Sequence, residues 1–221
     1  LVATDYFTKW IEAVPLKAVT QKDVISFIRA HIIHRFGIPH SITTDRGTAF
    51  TGHLVTDFVQ QYGIRLCHSS PYYPQGNGQA EAANKIIIGI IKRMIQEKPR
   101  KWHEHLSEAL WAARNTANVA TGFTPYKLTF GHEAVVPAEI TVPSVRVQQE
   151  QLGDPMEGEH GGPDGHRMAM LRALDDLDEI RFRAMDNLEK ETARRARVVD
   201  QRVKTQSFET GDLVWKVTLP R

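Results

Sequence analysis

The sequence holds one cysteine, Cys67, and that scarcity excludes two kinds of scaffold. A lone thiol cannot close an internal disulfide and cannot supply a multi-cysteine zinc site. Long apolar runs are lacking too. Ile86-Ile87-Ile88 is typical, far short of the roughly 18–20 residues that a membrane-spanning helix needs, so no membrane partner is expected. No charged-then-apolar leader opens the chain and no initiator methionine is present; Leu1-Val2-Ala3-Thr4 reads as the inside of a strand, as in a fragment or a cleaved product. Charge of one sign is scarce as well, the formal net charge being +2. It is unevenly divided: 16 Lys/Arg against 11 Asp/Glu in residues 1–146, and 12 against 15 in residues 147–221. The basic front part permits a polyanionic partner without requiring one.

What is present fits a folded chain. At 221 residues, 41% hydrophobic and 24% charged, there is room for one well-filled core and a partial second unit. Leu1–Thr4 and Trp10–Val14 read as a hairpin closed by Pro15, with Asp5–Lys9 as its turn. Thr20 and Asp23 form an acidic relative of a capping box. They precede a helix whose Val24, Ile25, Ile28, Ile32 and Phe36 recur at helical spacing. Ser41–Thr44 is expected to be a buried strand ending at Asp45, Leu54–Tyr62 a second helix, and Ile64–His68 a further strand. The order β-β-α-β-α-β implies a mixed sheet with helices on its faces, whose ligands gather at the carboxyl ends of the strands. A turn-rich loop, Ser70–Gly78, then leads into a long helix from about Gln79 to Lys98, and another helix spans Trp102–Asn115.

Two carboxylates stand where a metal site could be built: Asp45 at the end of a strand and Glu81 in the first turn of the long helix, with 35 residues between them. Each alone has an ordinary reading, as a turn residue or as a complement to the helix dipole. Together, a strand end and a helix start could converge on hard cations, which seek oxygen ligands. On a helical wheel Lys85 and Lys92 lie within about 40° of Glu81, whereas Ile86, Ile87, Ile90 and Met94 lie opposite. If the isoleucines are buried, Glu81 shares an outward face with two phosphate-seeking ammonium groups. In the preceding loop, Gly76 and Gly78 let the backbone approach a ligand, while Tyr72, Tyr73, Gln75, Asn77 and Gln79 offer stacking surfaces and hydrogen bonds suited to a frayed DNA end. His31 and His34 have no cysteine partners nearby and read as surface or packing residues.

The runs Val2–Ala13, Ile42–Phe50 and Ser70–Glu81 resemble the integrase core of retroviruses and gypsy-type long-terminal-repeat retrotransposons. Leu106–Ala112, Thr124-Pro125-Tyr126 and Phe130-Gly131 look like the plant type of that polyprotein. The resemblance implies a ribonuclease-H-like α/β fold, with Asp45 and Glu81 as the second and third catalytic and metal-holding carboxylates. It also implies two Mg²⁺ or Mn²⁺ ions, DNA as partner through both element ends and target, a homo-oligomer in the complete integrase, and a nuclear location. The implied chemistry is 3′-end processing followed by strand transfer. In that family the first catalytic aspartate lies on a strand ahead of the run resembling Leu1–Ala13. That strand is expected to be missing here, and Asp5 is given a turn role. The alternative reading is a catalytically dead or repurposed nucleic-acid-binding remnant.

The expected division is an integrase catalytic core over 1–146, a linker over 147–170, a charged helix over 171–205, and the start of a small carboxyl-terminal β-barrel over 206–221. The last rests on the likeness of Ser207–Lys216 to the opening of the barrel domain that follows such cores. In the charged helix, Leu174, Leu177, Met185 and Leu188 make one rough stripe, expected to pack weakly or to pair with a partner.

Overall fold

A computed structural model of the chain describes residues 1–69, 78–95, 99–135, 163–201 and 211. The opening hairpin pairs β1 (Val2–Thr4) antiparallel with β2 (Ile11–Ala13), setting Ala3 opposite Glu12. Its turn is organised by Asp5, whose Oδ2 accepts both the amide and the hydroxyl of Thr8 at 2.7 Å. Helix α1 (Gln21–Phe27) begins on a reciprocal capping box: Thr20 accepts from the Asp23 amide, and Asp23 accepts from the Thr20 amide. It continues through a π-helical stretch, Ile28–Ile33, into α2 (His34–Phe36), and Gly37 at φ 89° ends it.

β3 (Ser41–Thr44) pairs in parallel with β4 (Arg65–His68), joined by α3 (Thr48–Thr51) and α4 (His53–Gln61). After these come α5 (Gly78–Met94), a 3₁₀ stretch (Pro99–His105), α6 (Leu106–Arg114) and α7 (Pro125–Phe130). The last described helix is α8 (Pro163–Asp200), so residues 163–170, read with the linker, lie inside it.

The element order and the helical cover resemble the expected ribonuclease-H-like arrangement, but the single mixed sheet is corrected. Among the described residues the strands form two separate open sheets, β1-β2 and β3-β4. Each sheet is held by its own core. Ile11 and Ala13 of β2 pack with Ala83, Ile87 and Ile91 of α5 and with Leu106, Ala109 and Leu110 of α6. The second core joins Val24 and Ile28 to Val55, Phe58 and Val59 of α4 and to Ile64, with Ile42 and Leu66 packed against it. β3 is therefore half-covered rather than buried: Ile42 and Thr44 face inward, whereas Ser41 and Thr43 are exposed. No closed barrel exists among the described residues; two sheets of two short strands cannot close. The expected barrel start, 206–221, lies outside the described residues except for Gly211.

Of the stripe expected on α8, part is covered and part is exposed. Leu177 and Ala184 are buried, while Leu174 and Met185 are exposed. The helix docks through polar groups beside that buried pair: Asn187 Nδ2 donates to the Thr121 carbonyl at 2.8 Å, and Arg181 Nε to the Leu128 carbonyl at 3.4 Å. Gly122 permits this approach, since a Cβ there would stand 2.9 Å from Asn187 Nδ2.

The two cores are tied at Glu12, a carboxylate only 5% exposed in the middle of β2. Its Oε1 accepts from Arg35 Nη1 at 2.6 Å and Trp10 Nε1 at 2.8 Å, and lies 3.0 Å from Arg114 Nη2. His31 Nδ1 stands 3.8 Å from Oε2. Arg114 also donates twice to the Ile11 carbonyl, at 3.0 and 2.7 Å, and its guanidinium lies over the Trp10 ring. Burial pushes the Arg114 guanidinium below its ordinary value, and Glu12 opposes that shift. Breaking such a buried network from its acceptor side leaves a charge uncompensated. Glu12→Ala is expected to cost about 3 kcal/mol in urea unfolding. Arg35→Ala, whose side chain is 41% exposed, should cost under about 1 kcal/mol. Equal losses in the two variants would remove Glu12 from its central place.

Candidate nucleic-acid interface

The carboxyl ends of β3 and β4 bring together Thr44, Asp45 and His68. Parallel register sets Thr44 beside His68, whose Nδ1 is 3.0 Å from Thr44 Oγ1 and 3.4 Å from the Asp45 carbonyl. The Asp45 side chain is exposed, and its Oδ1 accepts the Gly47 amide at 2.8 Å in a tight turn. A Cβ at Gly47 would come within 2.9 Å of that oxygen, so a larger residue there would shift the Asp45 carboxylate. The sequence reading missed His68; the signal available was its matching position at the end of the neighbouring parallel strand.

Glu81 lies in the first turn of α5 and is exposed, as are Lys85 and Lys92. Two positions of the expected apolar face, Ile86 and Met94, prove exposed. The buried stripe of α5 is Ala83, Ile87 and Ile91, while Ile86 and Met94 are 45% and 40% exposed. The reason is positional: β1, β2 and α6 cover the 83-87-91 line, leaving its 86-90-94 flank beside a cavity. Tyr72, Tyr73, Gln75 and Asn77 lie outside the described residues. Gln79 is placed, and its Oε1 accepts from Lys9 Nζ at 2.9 Å.

Lys9 is the second residue that sequence reading missed. It closes the hairpin turn in a left-handed conformation, φ 63°, rare for a side-chain-bearing residue. Its ammonium is turned inward, bonded to the Tyr6 carbonyl and to Gln79, and so pins the hairpin to the start of α5. The signal was a lysine just ahead of the buried Trp10-Ile11-Glu12-Ala13 run. Asp5, by contrast, is occupied in the turn as expected.

Among the described residues, no group of three or more His, Cys, Asp or Glu side chains comes together to hold a metal ion. Of the implied two-ion site the described donors include two carboxylates, Asp45 and Glu81, and one Asp45 oxygen also accepts the Gly47 amide. His31 stacks on Phe27 at 5.2 Å, in keeping with a packing role. No helix among the described residues is long and apolar enough to cross a membrane.

Burial lowers the Lys9 ammonium to about 8, with Asp5 raising it and Arg195 lowering it further. An amine depressed in the folded state binds fewer protons than in the unfolded chain at pH values above about 8. Stability should therefore rise as pH climbs from about 8 toward 10.5, the ordinary lysine value, and the cost of the charge should be fully present below 8. Carbon-13 titration of the Lys9 side chain should give a midpoint near 8; a midpoint at the ordinary value would contradict its inward placement.

Residues 1–74 match the family model described as the integrase core domain. The Pro-Pol polyprotein of feline foamy virus is 32% identical over 137 residues, 62% of this chain and 12% of that polyprotein. The Pol polyprotein of feline endogenous virus ECE1 is 36% identical over 132 residues, 59% of this chain and 12% of that one. The chain thus spans about an eighth of the curated relatives it matches. Among solved structures, a simian T-cell lymphotropic virus intasome matches with a TM-score of 0.52 and 29% identity, over 62% of this chain and 49% of that one. Over residues 1–74 the chain thus matches the integrase core domain, and the proteins it resembles are retroviral Pol polyproteins and a retroviral intasome.

Proposed function

We propose that this chain is a DNA-binding integrase-core module that does not by itself join DNA ends. The observation that carries this reading is the contrast along α5. Its outward face offers Lys85 and Lys92 to phosphates, while the described residues near Asp45 and Glu81 assemble no group of three ligating side chains. The face supplies sequence-independent grip on a phosphate backbone, and the hairpin, pinned by Lys9 to Gln79, sets where α5 begins relative to the sheet. In a complete integrase, Asp45 and Glu81 would be the two carboxylates this chain contributes, in a nuclear homo-oligomer acting on element ends and target DNA. The gypsy-type origin rests on the sequence resemblance, as does the domain division at 146, 170 and 205.

The 221-residue protein is expected to bind duplex DNA but to give no Mg²⁺-dependent joining of labelled DNA ends. Robust joining would overturn the non-catalytic reading. Lys85→Ala and Lys92→Ala should each weaken binding alike across sequences and flatten the slope of log affinity against log salt by about one. Glu81→Gln removes a charge that repels phosphates, so metal-free binding should hold or tighten. Unchanged affinity and slope in both lysine variants would leave the α5 face without a role in DNA binding.

A further inference from the structure

Phe182 of α8 is 70% exposed, the most of any large apolar side chain described on that helix. It stands on the side turned away from the body. Leu177 and Ala184 mark the docked face, and at about 100° per residue the row Leu174, Asp178, Phe182 and Asp186 lies about 60–180° round the helix from Leu177. These four residues are four apart, so they form one ridge along the helix, with Phe182 between two exposed carboxylates. Asp186 pairs with Lys190, one turn along and itself exposed, and an exposed pair of this kind is worth little and is readily exchanged. Among the described residues Asp178 takes no part in an ion pair.

Helix α5 carries the complementary row. Lys85, Gly89 and Arg93 are again four apart; both cations are exposed, and among the described residues neither is ion-paired. Gly89 leaves a notch between them, since a Cβ added there would meet nothing within 4 Å. Ile86 and Met94, 45% and 40% exposed, give the notch an apolar rim. A step of four residues is about 6 Å along a helix axis. Acid, phenyl ring, acid on α8 therefore has the same spacing as cation, gap, cation on α5. Ridges of residues four apart are the ones that interlock when helices pack at the commonest crossing angle.

The α8 ridge faces away from its own chain, so the α5 that receives it belongs to another molecule. Pairing of two α8 ridges is disfavoured by charge, because each carries Asp178 and Asp186 and no cation. We propose that a second copy of this chain is the occupant, its Phe182 seated at Gly89 and its two aspartates against Lys85 and Arg93. Each copy offers one ridge and one notch, so a two-fold axis makes the contact twice and closes a dimer. The proposal is independent of the DNA reading and shares with it only Lys85.

Sedimentation equilibrium of the 221-residue protein without DNA tests the proposal. The unsubstituted protein should dimerise. Phe182→Ser and Gly89→Leu, each with helical circular dichroism retained, should raise the dimer dissociation constant about tenfold or more. Asp178→Lys with Asp186→Lys makes the ridge basic, and Lys85→Asp with Arg93→Asp makes the notch acidic. Each double variant alone should be monomeric. An equimolar mixture of the two should restore the dimer, because every ridge then meets a notch of opposite charge. A monomeric unsubstituted protein, dimerisation unchanged in the folded variants, or a mixture that stays monomeric would overturn the proposal. Phe182→Ser leaves the α5 face untouched, so failure of duplex DNA to bind that variant would count against the DNA reading alone.

Discussion

The fold turns on one buried carboxylate. Glu12 sits in a strand whose neighbours, Ile11 and Ala13, belong to the core shared with α5 and α6, yet its oxygens reach Arg35 at the end of the first helical run and Arg114 at the end of α6. Leu1 and Val2, one packed against each core, add apolar contact between the two small sheets. The geometry also fixes Trp10, which donates to Glu12 and sits edge-on to Phe36 and Phe130. A charge in this position exchanges some stability for definition of geometry, because its hydrogen bonds are directional where apolar packing is not.

The π-helical stretch belongs to the same arrangement. Ile28–Ile33 lies between the capped start of α1 and Arg35, and the wider turn changes the phase at which the residues after it face the sheet. His31, inside that stretch, and Arg35, just beyond it, both reach Glu12. The start of α5 is fixed from the other end of the hairpin, through Lys9 and Gln79. One short hairpin therefore positions two helices, the first through Glu12 and the second through Lys9.

Much of this was legible from local signals. The capping box at Thr20, the turn role of Asp5, the strand ending at Asp45 and the outward setting of Glu81, Lys85 and Lys92 all follow from residue chemistry within a few positions along the chain. What could not be read depends on contacts between distant segments. Glu12 reads as a polar strand residue until Arg114 is brought to it, and the burial phase of α5 depends on where β1, β2 and α6 cover it. Likewise the α8 stripe was drawn from hydrophobicity, whereas docking is completed by Asn187 and Arg181 on backbone carbonyls. Strand pairing is the extreme case: β propensity identifies strands but does not say which edges meet.

The separation of the strands into two sheets has a consequence for handling the protein in solution. Among the described residues, β1 and β3 each have a strand partner on one side only, so backbone donors and acceptors on the other side face no ladder. Such edges invite pairing between copies, and short strands bearing Ser41, Thr43 and Thr44 limit but do not abolish that tendency. Self-association through these edges would bury backbone rather than side chains. It would grow with protein concentration and resist salt, in contrast to any association through the charged face of α5, which salt would screen.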